Sequence, residues 1–161
     1  MPSPRNTNLA IALACACLIA AALFLQHVLD LKPCYLCIVQ RVLVIATGVI
    51  ATLAFIHHPG RAGQRCYAAA TGISALTGAG FALRQLWLQS LPEDLVPACG
   101  PPADYLFDVF SLSEALPMLL KGDGNCAQVQ WTLLNLSIPA WTLMAFAGLA
   151  LLSLWQLLRK T

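Results

Sequence analysis

"LKPCYLCIVQRVLVIATGVIATLAFI", residues 31–56, runs from a proline through two cysteines three apart to an arginine and then a long apolar stretch. The unbroken apolar part, residues 42–56, is about 15 residues, short of the roughly 20 that cross a hydrocarbon core. It reaches a spanning length only by taking in residues 35–41. The reading is therefore a membrane helix over about 35–56, with Cys34 and Cys37 on its first turn at the membrane surface. Pro33 suits such a start, because proline is tolerated in the first turn of a helix.

Composition places the rest of the chain in the same solvent. With 59% hydrophobic residues, 10% charged residues and a mean hydropathy of +0.74, 161 residues cannot hide their apolar surface in one soluble core. A net charge of +2 gives no grounds for a nucleic-acid partner. Three further runs reach spanning length. Residues 9–29 extend about 31 Å as a helix, the thickness of a hydrocarbon core. Arg5 and the small residues 14–16 give this run some look of a cleaved signal, but it is too long for an ordinary signal core. Residues 67–90 are rich in Gly, Ala, Ser and Thr, which let membrane helices approach closely. Residues 138–157 open with Pro139 and carry Trp141 and Trp155 as interface anchors. The expected fold is an all-α membrane protein, a four-transmembrane-helix bundle forming one domain over residues 1–161.

Lys and Arg near the span ends set the orientation. Arg5, Arg61, Arg65, Arg159 and Lys160 fall on one side, and only Lys32 and Lys121 fall in the opposite loops. Both termini and residues 57–66 are thus expected in the cytoplasm, with residues 30–37 and 91–137 outside it. Every acidic residue, from Asp30 to Asp123, lies on the outer side.

The outer segments hold Cys34, Cys37, Cys99 and Cys126, whereas Cys15, Cys17 and Cys66 lie in a span or on the cytoplasmic side. Disulfides persist outside the cytosolic thiol pool, so four outer cysteines suggest two bridges. Of the three pairings, spacing favours Cys34 with Cys37, leaving Cys99 with Cys126. A C-x-x-C bridge closes too small a loop to stabilise much, so redox exchange or metal binding explains it better than stapling. At a helix start these thiols meet the positive end of the helix dipole, which favours thiolate. Arg41, one turn deeper on the same face as Cys37, adds a fixed positive charge. An arginine inside a span reads as functional, with snorkelling to the surface as the alternative.

Cys99 and Cys126 bound a loop of about 28 residues, whose closure is worth roughly 3 to 4 kcal/mol. That gain resists reduction, so a transferable disulfide here requires a loop that forfeits it. The flanks, Pro97, Gly100, Pro101 and Pro102 on one side and Gly122, Gly124 and Asn125 on the other, are turn-rich. Between them, residues 105–120 read either as a short amphipathic helix on the membrane or as a loop packed on the bundle.

"LQHVLDLKPCYLCIVQR", the second cysteine pair in the long outer loop, and "CAQVQW" followed by "IPAW" resemble the DsbB family of bacterial inner-membrane protein disulfide:quinone oxidoreductases. The likeness covers most of the chain. It implies that Cys99 is attacked by a reduced periplasmic thioredoxin-like protein of the DsbA type, with Cys126 as its pair. Electrons then pass to the Cys34–Cys37 disulfide, Cys34 meeting the outer cysteines and Cys37 facing a membrane quinone, ubiquinone or menaquinone, held by Arg41. Carriers of that type are poised near about −120 mV, so a strong oxidant must end the chain. One position departs: where some relatives carry histidine in the third span, this chain has Gln85, beside Arg84. Gln26 and His27 match the family but read most simply as interfacial polar residues. A reductase of the vitamin K epoxide reductase kind would be expected to place C-x-x-C late in the chain. A four-thiolate metal site is a further alternative.

Overall fold

The computed structural model describes residues 3–101, 105–106, 109 and 111–159. Four helices in it are long and apolar enough to cross a membrane: α1 (Pro4–His27), α2 (Tyr35–His57), α3 (Arg61–Gln89) and, last in the chain, α6 (Ile138–Leu158). Their outward faces are apolar yet uncovered, with Ile56 71% and Leu151 66% exposed, as lipid-facing side chains must be. The protein is a multi-pass membrane protein built as a four-helix bundle.

Helix ends follow capping chemistry and not the limits of the apolar runs. α1 starts at Pro4, where Ser3 Oγ accepts from the Asn6 N–H at 3.2 Å. α3 starts at Arg61 behind the Gly60 cap, so its first turns are polar and the connection to α2 is only residues 58–60. The sequence reading started this helix at residue 67 because hydropathy registers burial in lipid, whereas the hydrogen-bond ladder continues past the apolar boundary. Pro33 also moves: Cys34 is the N-cap of α2, so the proline precedes the cap and lies outside the first turn.

α3 packs along α6, α1 along α2 and α2 against α3, while α1 and α6 scarcely touch. The middle of the bundle closes around Phe146, whose ring fills the space beside Gly78. Cys15 lies against Gly48, Ser153 against Gly72. At the end of the bundle that carries both chain termini three amides close a ring across α1, α3 and α6. Asn8 donates to Gln64 at 3.4 Å, Gln64 to Gln156, and Gln156 back to Asn8 at 3.0 Å. Each amide thereby satisfies a donor and an acceptor away from water.

At the opposite end, called the outer end below, a short 3₁₀ turn (Glu93–Leu95) leads toward α4 (Leu112–Lys121), which begins where the Glu114 carboxylate accepts from the Ser111 N–H and hydroxyl, at 3.2 and 2.8 Å. Ala115 and Leu119 bury against Leu36 and Leu88, whereas Leu116 and Met118 stay exposed. This is the short amphipathic helix anticipated within residues 105–120, and one of its faces does pack on the bundle. A four-residue helix α5 (Gly124–Ala127) and a two-stranded hairpin, β1 (Thr132–Leu133) with β2 (Leu136–Ser137), complete the outer layer. The hairpin turns at Leu134 and Asn135, both at positive φ, and Trp141 donates to the Leu133 carbonyl at 3.2 Å.

An ideal Cβ on Gly78 would stand 2.3 Å from the Phe146 ring, while Gly80 has open space. Gly78→Ala is expected to cost about 1–3 kcal/mol through overpacking. Thermal unfolding in detergent micelles should show the loss for Gly78→Ala and little change for Gly80→Ala.

Candidate redox site

The outer end of the bundle gathers three sulfurs. Cys34, at the cap of α2, and Cys37, one turn on, have their Sγ atoms 2.8 Å apart. Cys126, on α5, is fully buried in the same cluster as Cys34. The neighbouring Cys34 thiol holds the Cys126 thiol below its ordinary pKa, against the opposing effect of burial. Donation to Cys126, the contact with Cys37 and burial together push the Cys34 thiol up. Cys99 is exposed at the surface, with its sulfur against Gly124, two positions before Cys126. All seven cysteines are unbonded here. The four outer sulfurs therefore form a sequence from solvent to helix mouth: Cys99, then the Cys126 segment, then Cys34, then Cys37.

Backbone contacts hold the Cys99 segment to the Cys126 segment. Gly124 N–H donates to the Ala98 carbonyl at 3.3 Å, and Gly100 N–H donates to Asp123 Oδ2 at 2.9 Å. An ideal Cβ on Gly124 would come within 2.4 Å of the Pro97 carbonyl, so only glycine permits this approach. Tyr35 at the start of α2 donates its hydroxyl to the Pro101 carbonyl.

Gln85, 3% exposed on α3, donates through Nε2 to Cys34 at 3.3 Å and Cys37 at 3.4 Å. Its orientation is fixed by Gln40, which donates to Gln85 Oε1 at 2.8 Å. A neutral amide thus stands where a proton-carrying side chain could have stood. Its signal in the sequence was faint: Gln40 lies one turn from Cys37, but a glutamine in a span carries no charge to draw notice. Arg84 turns the other way and donates to the Lys121 carbonyl through Nε at 2.9 Å and Nη2 at 2.8 Å. It caps α4.

Arg41 reaches across to α1, donating to Gln26 Oε1 and, at 3.1 Å, to the Ala22 carbonyl. Gln26 is therefore more than an interfacial polar residue. His27 stays exposed. Arg41 and Cys37 line one cavity of about 120 Å³, walled also by Leu18 and Ile19 of α1, Gln85 of α3 and Phe146 of α6. It lies in the seam where α1 and α6 scarcely touch. Cys15 packs in the core, whereas Cys17 and Cys66 are exposed.

A buried row of adjacent thiols ending at one exposed cysteine is an arrangement for passing a disulfide by thiol exchange. Fold and site together define a membrane thiol–disulfide protein. A family model described as "Disulfide bond formation protein DsbB" matches residues 4–156. The chain is 51% identical over 160 residues to disulfide bond formation protein B of Saccharophagus degradans, covering 99% of this chain and 96% of that one. It is 44% identical over 160 residues to the protein of the same name from Stutzerimonas stutzeri, covering 99% and 98%. With that of Chromobacterium violaceum it shares 46% over 156 residues, covering 97% and 94%. The chain belongs to the DsbB family of disulfide bond formation proteins.

Gln85→Leu removes both hydrogen bonds to the C-x-x-C sulfurs. Hydrogen bonds to a charged group are worth about 1.5–3 kcal/mol, and 30 mV corresponds to about 1.4 kcal/mol. With the reduced pair carrying a thiolate, its reduction potential should fall by about 30–60 mV, read by redox titration with alkylation of Cys34 and Cys37.

Proposed function

We propose that the chain is a quinone-dependent thiol:disulfide oxidoreductase of the bacterial inner membrane, its four outer cysteines facing the periplasm. It reoxidises a periplasmic dithiol carrier of the thioredoxin-like DsbA type and so sustains disulfide formation in secreted proteins. The observation that carries this reading is the arrangement of the sulfurs, from exposed Cys99 through buried Cys126 to the Cys34 and Cys37 pair on the wall of the cavity between α1 and α6.

In this scheme the carrier's thiolate attacks Cys99 of a Cys99–Cys126 disulfide, and Cys126 leaves. Resolution of the mixed disulfide releases the carrier oxidised. Cys126 stands against Cys34, the partner it needs for exchange into the Cys34–Cys37 disulfide, whose opening frees Cys37. Gln85 donates to both sulfurs of that pair and steadies the one that departs with the electrons.

The cavity suits a quinone head. Its volume is of the order that admits one aromatic ring, since an apolar cavity of about 150 Å³ holds benzene. Its walls are largely apolar, and the hydrogen bonds of Arg41 go to two neutral oxygens, leaving the guanidinium without an anion among the described residues. A bound quinone supplies the two-electron acceptor. Arg41 would hold it and balance negative charge at its oxygen, while Leu18, Ile19 and Phe146 exclude water.

Purified protein with quinone should oxidise a reduced carrier catalytically, and Cys37→Ser should abolish turnover. Arg41→Ala should raise the KM for quinone. With a carrier whose second cysteine is replaced by alanine, so that the mixed disulfide cannot be resolved from the carrier side, the mixed disulfide should accumulate on Cys99. Turnover without quinone removes the acceptor from the scheme, and trapping through Cys34 reverses the order of transfer.

A further inference from the structure

Asp123 is the one acidic side chain buried among the described residues, at 6% exposure, and thiol exchange as set out above gives it no part. Its hydrogen bonds come from neutral donors. Oδ2 accepts from Gly100 N–H at 2.9 Å and Asn125 Nδ2 at 2.6 Å, which leaves Oδ1 to accept from Cys126 Sγ at 3.4 Å. The titratable groups around it are few: Cys126 itself, Cys34 behind Cys126, Tyr35 beside Gly100, and Cys99 against Gly124. Arg84 is committed to the Lys121 carbonyl. A buried carboxylate supported by two N–H donors on one oxygen, with the other turned to a thiol, is placed to take that thiol's proton.

We propose that Asp123 is the general base for transfer from Cys126 to the C-x-x-C pair. Oδ1 takes the Cys126 thiol proton as the sulfur's electron pair forms a bond to Cys34 Sγ. The Cys34–Cys37 bond breaks, and its electron pair leaves on Cys37 as thiolate. Cys126 is oxidised and Cys37 reduced, with the proton retained on the carboxyl. Only the thiolate attacks a disulfide, and Cys126 is sealed from water, so a proton acceptor inside the cluster removes the need for hydroxide to reach it. The Gly100 and Asn125 contacts keep the carboxylate aimed.

This inference rests on the transfer order of the proposed function, yet its test needs neither carrier nor quinone. In a Cys99→Ser background with the Cys34–Cys37 disulfide formed, Cys126 is the attacking thiol. The rate of appearance of alkylatable Cys37 after a pH jump reads the step directly. With Asp123 present the rate should change little between pH 6 and pH 8. Adding Asp123→Asn, which keeps the shape but takes no proton, should lower the rate about 10²-fold at pH 6, the low end for a positioned base. The deficit should shrink about tenfold per pH unit as solvent takes over the deprotonation. Asn125→Ala, which removes a support and not the base, should keep the flat profile.

A rate that already rises tenfold per pH unit with Asp123 in place overturns the proposal, and this needs no Asp123 variant to fold. So does an Asp123→Asn profile that matches its parent, or an Asn125→Ala profile that copies Asp123→Asn. Carrier turnover by the wild-type protein with quinone, run alongside, tests the transfer scheme separately.

Discussion

The sulfur-to-sulfur contact of Cys34 depends on where α2 begins. Because Cys34 is the cap and Cys37 lies one turn on, both line the cavity in the seam between α1 and α6, and Cys34 is also packed in the cluster with Cys126. Tyr35 and Leu36, between them, anchor that start from both directions. Leu36 is fully buried under α4 and Gly122, and the Tyr35 hydroxyl reaches the Pro101 carbonyl. Shifting the helix start by one residue would rotate the pair by about 100° and separate it from both neighbours.

Neutral amides do much of the ordering inside this bundle. Gln40 and Gln85 set the sulfurs at the outer end, while Asn8, Gln64 and Gln156 lock three helices at the inner end. Lipid gives apolar side chains no reason to prefer another helix over acyl chains, so packing and interhelical hydrogen bonds must supply specificity. Amides do so without the cost of a buried charge. Arg41 and Arg84 show the contrast. Each is charged, each is bound to carbonyl oxygens, and each sits near the outer end of its helix, where the charge is least costly.

The outer layer is held to the bundle by few elements. Arg84 caps α4, Leu119 and Ala115 cover Leu36, and Asp123 with Gly124 draws the Cys99 segment inward. Glycines at 100, 122 and 124 permit these approaches, and Gly122 also takes φ +75. A layer secured by hydrogen bonds and close backbone contact can exchange cysteine partners without disturbing the spans.

The four spans were legible in the chain, because a bilayer imposes its thickness on apolar runs. Arg41 was legible too, as a charge where charge is expensive. What Gln85 and Arg84 do was not, since adjacent residues on α3 face opposite partners and no period separates an amide that meets sulfur from one that meets lipid headgroups. Asp123 read as a turn residue, its contact with Cys126 arising only when α5 folds under the Cys99 segment. Hydropathy and spacing act along one strand of covalent connectivity, whereas these roles depend on directions in space between segments far apart in sequence, and only the packed bundle fixes those.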